Sequence, residues 1–118
     1  MSDMKLLNYL QAGINAESSR QSVIANNMAN MNTKGYRKFD IKFEEAFAKL
    51  IDSDDDFNPS DIEAELFQPK NTPINAQGND VNIHAEVGEL VKNTIRHKAF
   101  VRILAKKYEQ YERAIRIP

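Results

Sequence analysis

Apolar residues recur at alternating steps of three and four through Leu7, Leu10 and Ile14, and again through Ile24, Met28 and Met31. That spacing lays a single stripe along a helix. It predicts a helix over residues 3–31, with Glu17 and Gln21 in the intervening stripe positions, Ser2 or Asp3 to cap its start, and Asn30, Asn32 and Gly35 to end it. At about 1.5 Å per residue the rod is ~44 Å long, beyond the radius of a compact domain of this size, so it must protrude or find a partner. The last third repeats the pattern without a break through Val87, Leu90, Thr94, His97, Val101, Leu104, Tyr108, Tyr111 and Ile115, predicting a second helix over about 83–116. Leu6, Val23, Val91, Ile95 and Ile103 widen the stripes beyond a two-stranded seam and invite further helices from other subunits.

The middle differs. In residues 37–51, Phe39, Phe43, Phe47 and Leu50 have helical spacing, while Phe39, Ile41 and Phe43 alternate as a short strand would. From Asp52 to Asp80 the chain carries Pro59, Pro69, Pro73 and Gly78 among many Asn and Asp residues, which predicts loops and turns. The expected fold is mainly α: long N- and C-terminal helices packing as a coiled-coil-like pair, with a short irregular middle. Three segments follow: 1–36 with the first helix and its turn, 37–80 between, and 81–118 with the last helix.

A length of 118 residues allows one domain, and the formal charge of −1 gives no global attraction to nucleic acid or anionic lipid. The charge is nevertheless divided. Lys92–Arg116 holds eight Lys and Arg against Glu109 and Glu112, whereas Asp40–Glu65 holds ten acids against Lys42 and Lys49. Pairing of these opposites within or between subunits would set register and partner choice. The absence of cysteine excludes disulfides, thiolate metal sites and a Cys nucleophile. The N-terminus shows no Sec-type signal, and no window has the ~18 apolar residues of a membrane span.

Chemistry-bearing patterns are sparse. Asp52, Asp54, Asp56, Ser60 and Glu63 fall at positions 1, 3, 5, 9 and 12 of a calcium loop, but Phe57 stands where the sharp turn needs Gly, which favours a solvated acidic loop. His84 and His97, the two histidines, are too far apart for a helical metal pair. Ser18, Ser19 and Ser22 lack a nucleophile-elbow glycine pattern, and there is no glycine-rich phosphate loop. These features predict no enzyme, no cofactor and no small-molecule substrate.

One run is unusual for a helix end. Asn26-Asn27-Met28-Ala29-Asn30-Met31-Asn32 places four Asn in seven residues, although Asn side chains compete for backbone hydrogen bonds inside helices. With Ala25, Thr33, Gly35 and Tyr36 it resembles the signature A-N-N-x-A-N-x-x-T-x-G-Y that closes the first helix of the bacterial flagellar axial proteins of rod and hook. Arg20-Gln21-Ser22-Val23-Ile24 before it, Phe39 and Phe43-Glu44 after it, and Gly78-Asn79-Asp80-Val81 are most similar to the basal-body rod proteins of the proximal rod. Matches run over about residues 5–47 and 78–115. Lys34 stands where the family often has Pro, and Asp80 and Asn82 where Asn and Asp are more usual.

The resemblance implies a non-enzymatic structural subunit of a periplasm-spanning drive shaft, with its terminal helices packed around a central channel. It also implies export without signal cleavage and partners among other copies, other rod proteins and the membrane-ring and export-gate junction, with no nucleic acid. The expected turn motif is Asn26, Asn27, Ala29, Asn30, Thr33, Gly35 and Tyr36. The expected helix interfaces use Leu7, Leu10, Ile14, Ile24 and Met28 with Val87, Leu90, Val101, Leu104, Tyr108 and Tyr111. The rival expectation is a helical adaptor binding a protein or nucleic acid through the basic C-terminal helix.

Overall fold

A computed structural model describes residues 3–52, 58–62 and 64–116. Helix α1 spans Asp3–Ala29 and helix α3 spans Ile83–Arg116; between them lie strand β1 (Asp40–Lys42), helix α2 (Glu44–Asp52), a 3-10 turn (Pro59–Asp61) and strand β2 (Glu65–Phe67). The mainly helical reading with an irregular middle therefore holds. Both alternatives for residues 37–51 are realised in succession, a strand at Ile41 and then a helix through Phe47 and Leu50. Of the calcium-loop pattern, Asp54, Asp56, Phe57 and Glu63 lie outside the described residues, as does Ser2.

Helices α1 and α3 run antiparallel. Asn27 meets Glu86, Glu17 meets Asn93 and Arg96, and Gly13 meets Phe100, so partner numbers fall as α1 numbers rise. At 27 and 34 residues they measure roughly 40 and 51 Å. The molecule extends 69 × 26 × 16 Å with a radius of gyration of 18.1 Å, against about 13.5 Å for a compact chain of this length. The long hairpin thus protrudes, as the length of the first helix requires.

The packed seam shares Leu10, Glu17 and Ile24 with the apolar stripe of α1, and Leu90, His97, Leu104 and Tyr111 with that of α3; each is buried or half-buried. At alternate positions it moves by one residue. Gly13 and Asn27 are buried while Ile14 and Met28 are half-buried, and Glu86 and Asn93 are buried while Val87 and Thr94 are exposed. Gly13 makes this possible, because a Cβ there would lie 2.6 Å from Phe100 Cε1. The bare backbone admits the ring, and hydrophobicity alone could not reveal that fit.

The middle segment covers one flank of the pair. Ala16 packs with Ile41 and Phe43, against which Val23, Phe47 and Ile62 close a small core. Tyr9 meets Phe47 edge-on with ring centroids 5.4 Å apart. Strands β1 and β2 pair antiparallel with Ile41 opposite Leu66. Arg20 ties the layers together: it donates to the Ile41 carbonyl and to Glu44, and its guanidinium sits 5.6 Å from the Phe43 ring centroid.

Candidate functional site

The densest polar chemistry lies where α1 ends, α3 begins and the chain enters β1. Asn27, Asn79 and Asn93 are the largest fully buried side chains among the described residues. A buried amide must be satisfied or it costs stability. Asn27 meets that demand with all four of its hydrogen bonds. Its Oδ1 accepts from the Tyr36 hydroxyl at 2.8 Å and the Phe39 amide at 2.9 Å. Its Nδ2 donates to the Phe39 carbonyl at 2.9 Å and, more weakly, to Glu86 Oε2 at 3.4 Å. The side chain thus pairs with Phe39 as a neighbouring strand would, and one side chain holds the end of α1, the entering strand and α3.

Asn79 closes α1 from outside. In the turn just past the end of α1, Asn79 Nδ2 donates to the carbonyls of Asn30 and Thr33 at 2.9 and 2.8 Å, which also accept the Thr33 and Tyr36 amides, while Asn79 Oδ1 accepts from the Val81 amide. Asn79 is presented by a tight turn in which Asn75 Oδ1 accepts from the amides of Gln77 and Asn79. Gly78 has φ +74°, and a Cβ there would approach the Gly35 Cα at 3.6 Å. Gly35, at φ +75°, donates its amide to the Gln77 carbonyl at 2.8 Å. Two glycine turns are therefore docked backbone to backbone, each in the conformation that excludes most side chains.

Asp80 fastens the same junction. Its Oδ1 accepts from the Lys38 amide at 2.6 Å, and its Oδ2 from Arg37 Nε at 3.0 Å and Thr72 Oγ1 at 2.9 Å. Burial works to raise this carboxyl, but those donors and the nearby guanidinium together hold it below the usual carboxylate range. Glu86 shows the opposite balance: burial pushes it up, and the long bond from Asn27 and the charge of Lys38 offset this only in part. Burial also raises the Tyr36 phenol, whose hydroxyl donates to Asn27 Oδ1. Asn82 starts α3, its side chain accepting from the amides of His84 and Ala85.

The structure brings Asn26, Asn27, Asn30, Thr33, Gly35 and Tyr36 of the expected turn motif into this knot, with Ala29 exposed at its edge. Asn26 donates to the Tyr36 hydroxyl, and Thr33 to Asn30 Oδ1. Asn79, Asp80 and Glu86 complete it from the other end of the chain; sequence reasoning noted the run from Gly78 to Val81 without assigning it a role. A second buried polar cluster lies midway along the seam. Asn93 Nδ2 donates to the carbonyl and Oε2 of Glu17, and Arg96 Nε donates to Oε1 at 3.0 Å. Of the expected interface residues, Leu10 and Ile24 are buried; Leu7, Ile14, Met28, Leu90, Leu104 and Tyr111 are half-buried; and Val87, Val101 and Tyr108 are exposed.

Several cations of the basic helix are already engaged, Arg96 with Glu17, Lys92 with Glu89, Arg113 with Glu109 and Arg116 with Glu112. No helix among the described residues is long and apolar enough to cross a membrane. Among the described residues no three His, Asp or Glu side chains converge as metal ligands.

The geometry defines an elongated helical hairpin locked at one end by a polar knot. The family described as "Flagella basal body rod protein" matches residues 7–37, which cover most of α1 and the Asn-rich turn. The chain is 27% identical over 108 residues to the flagellar basal body rod protein FlgB of Bacillus subtilis (strain 168), covering 84% of each. It is 25% identical over 115 residues to FlgB of Buchnera aphidicola subsp. Baizongia pistaciae (strain Bp), covering 81% of this chain and 83% of that one. The FlgB of Buchnera aphidicola subsp. Acyrthosiphon pisum (strain APS) is 27% identical over 109 residues, covering 80% of this chain and 82% of its own. The chain is thus similar to flagellar basal body rod proteins at its first helix and Asn-rich turn, and to FlgB proteins over most of its length.

Proposed function

We propose that the protein is a structural subunit of the flagellar basal-body rod, assembling by helix packing into the periplasm-spanning drive shaft. The observation that carries this reading is the knot: residues of the flagellar signature tie α1, β1 and α3 into one rigid junction, the property a torque-bearing subunit needs. With Asn27 saturated and two glycine turns docked, the hairpin cannot hinge at its closed end without breaking several buried hydrogen bonds. Leu7, Ile14, Met28, Val87, Val101 and Tyr108, which the hairpin itself leaves partly or fully uncovered, serve contacts between subunits. Its neighbours are other copies, other rod proteins and the membrane-ring and export-gate junction, and it reaches them by export without signal cleavage.

The experiment is quantitative mass spectrometry of purified hook and basal-body preparations. Enrichment at a few fixed copies per basal body is the expected result. Absence while other rod proteins are present in the same sample would refute the reading.

A further inference from the structure

Between Glu89 and Glu109, helix α3 carries Lys92, Arg96, Lys98, Arg102, Lys106 and Lys107 and no acid. Lys92 is paired with Glu89 and Arg96 with Glu17. The side chains of Lys98, Arg102 and Lys106 have neither an ion pair nor a hydrogen bond among the described residues. Spaced by four, these three form one row along the helix. At about 100° per residue that row lies opposite Asn93 and Phe100, which face Glu17 and Gly13 of α1. Val91, Ile95 and Ala99 fall on the same outer side and are exposed, Val91 and Ile95 at 54% and 63%. The acidic middle segment packs on α1 through Phe47, Ile41 and Phe43, away from this row, and pairs with none of its cations. Glu109 and Glu112, the acids that follow the row, are held by Arg113 and Arg116. The outer face of α3 therefore combines unneutralised positive charge with exposed β-branched side chains.

We propose that this outer face of α3 docks on the surface of a bilayer that carries anionic phospholipid headgroups. The inference goes beyond the rod reading and does not depend on it. A basic helix with apolar residues among its cations lies in the plane of such an interface. Val91 and Ile95 reach the acyl boundary, while the long stems of Lys98, Arg102 and Lys106 return their charges to the headgroups. Duplex nucleic acid offers phosphates to the three cations but no apolar layer to Ile95, and so matches only half of the face. No helix among the described residues is long and apolar enough to cross a membrane, so α3 lies on the bilayer and does not span it. From Val91 to Lys106 the contact is ~22 Å long. The formal charge of the whole chain is −1, so the attraction comes from the row alone. Its reach is a Debye length, ~10 Å at ~0.1 M salt, which makes docking sensitive to ionic strength.

The test is co-sedimentation of the purified full-length chain with vesicles of phosphatidylcholine mixed with phosphatidylglycerol, and with vesicles of phosphatidylcholine alone. The chain should bind the anionic vesicles at low salt, release them at high salt and ignore the neutral ones. Joint replacement Lys98→Gln, Arg102→Gln and Lys106→Gln should weaken binding roughly a hundredfold, about fivefold for each charge removed. The joint change Lys34→Gln, Lys49→Gln and Lys70→Gln removes the same charge from outside α3 and should leave binding within about twofold. Equal losses in the two variants, equal binding to neutral vesicles, or no binding to anionic ones overturns the proposal. Binding of duplex DNA in preference to the anionic vesicles also overturns it, in favour of a nucleic-acid surface. If the triple variant of α3 loses its circular dichroism, fluorescence supplies the second test, because the chain contains no Trp. The emission of Ile95→Trp should shift to the blue on anionic vesicles, whereas that of Glu65→Trp, on β2, should not. An unshifted Ile95→Trp emission overturns the proposal, and the rod reading stands or falls separately on the basal-body measurement.

Discussion

Replacing Asn27 by Asp changes one atom of the knot from donor to acceptor and leaves the shape intact. The Tyr36 hydroxyl and the Phe39 amide keep their acceptor. The Phe39 carbonyl and Glu86, which now receive hydrogen bonds from Nδ2 at 2.9 and 3.4 Å, would instead face oxygen. A buried acceptor left unsatisfied costs about 1–3 kcal/mol, and the charged pair adds to this, so a loss of about 3–5 kcal/mol is expected at pH 7. Against the roughly 5–15 kcal/mol that holds a typical domain folded, that is a large fraction. The loss should depend on pH in a defined direction. A carboxylic acid at position 27 can donate to the Phe39 carbonyl as the amide does, whereas a carboxylate there, beside Glu86 and out of water, is disfavoured. Its folded pKa therefore lies above its unfolded one, so the variant is most stable below the unfolded value and loses stability as pH rises through the folded value. Urea titrations of parent and variant, followed by circular dichroism at pH 4.5, 6 and 7.5, should show a gap that widens with pH. A gap below about 1 kcal/mol at pH 7.5, or one independent of pH, would refute the claim that Asn27 holds the knot through its amide.

Other perturbations test other parts of the hairpin. Gly13→Ala places a methyl group against the Phe100 ring; despite a helix-propensity gain of about 1 kcal/mol, urea unfolding should show net destabilisation of roughly 1–2 kcal/mol, relieved by adding Phe100→Leu. No atom lies within 4 Å of a Cβ at Gly35, so only its φ of +75° resists substitution. Gly35→Asn should then be tolerated, Gly35→Ala should cost about 1–2 kcal/mol, and Gly35→Val should abolish rod assembly; a motile Gly35→Val strain would contradict this. Asp80 has a lowered folded pKa, so its stabilisation is present above the ordinary carboxylate range and is lost as pH falls through the folded value. Asp80→Asn should therefore flatten the acid limb of the unfolding profile, and an unchanged acid limb would show that Asp80 does not govern it.

Much of this fold was legible because long helices write their period into the chain. The boundaries of α3 follow directly from the run of threes and fours ending near Ile115, and α1 stops within two residues of the expected place. What periodicity could not supply was the phase of the closed seam, because the residues that decide it are not hydrophobic. Gly13 fixes the phase by being small, and Glu17, Asn27, Glu86 and Asn93 by finding partners across the seam. Their selection depends on three-dimensional complementarity, whereas the stripe of Val87, Val101 and Tyr108 records apolar surface without saying which helix covers it. The Asn-rich turn was visible as an anomaly, and its resemblance to a signature gave it a family. Its mechanism was hidden until Asn79 and Asp80, over forty residues away, came to rest against Asn30 and Lys38.

The buried contacts that lock the hairpin also constrain the order in which it can form. Glu17 and Asn93 are 76 residues apart, and Asn27 and Glu86 are 59 apart, so no stretch of the first two-thirds of the chain contains both halves of either lock. Left alone, α1 is a poor helix, with Gly13, three Ser and several Asn lowering its propensity. An emerging chain therefore gains little by ordering its beginning, and closes into the hairpin only when its final third arrives. Any truncation before about Arg96 should leave a soft, proteolytically sensitive polypeptide with no shortened hairpin.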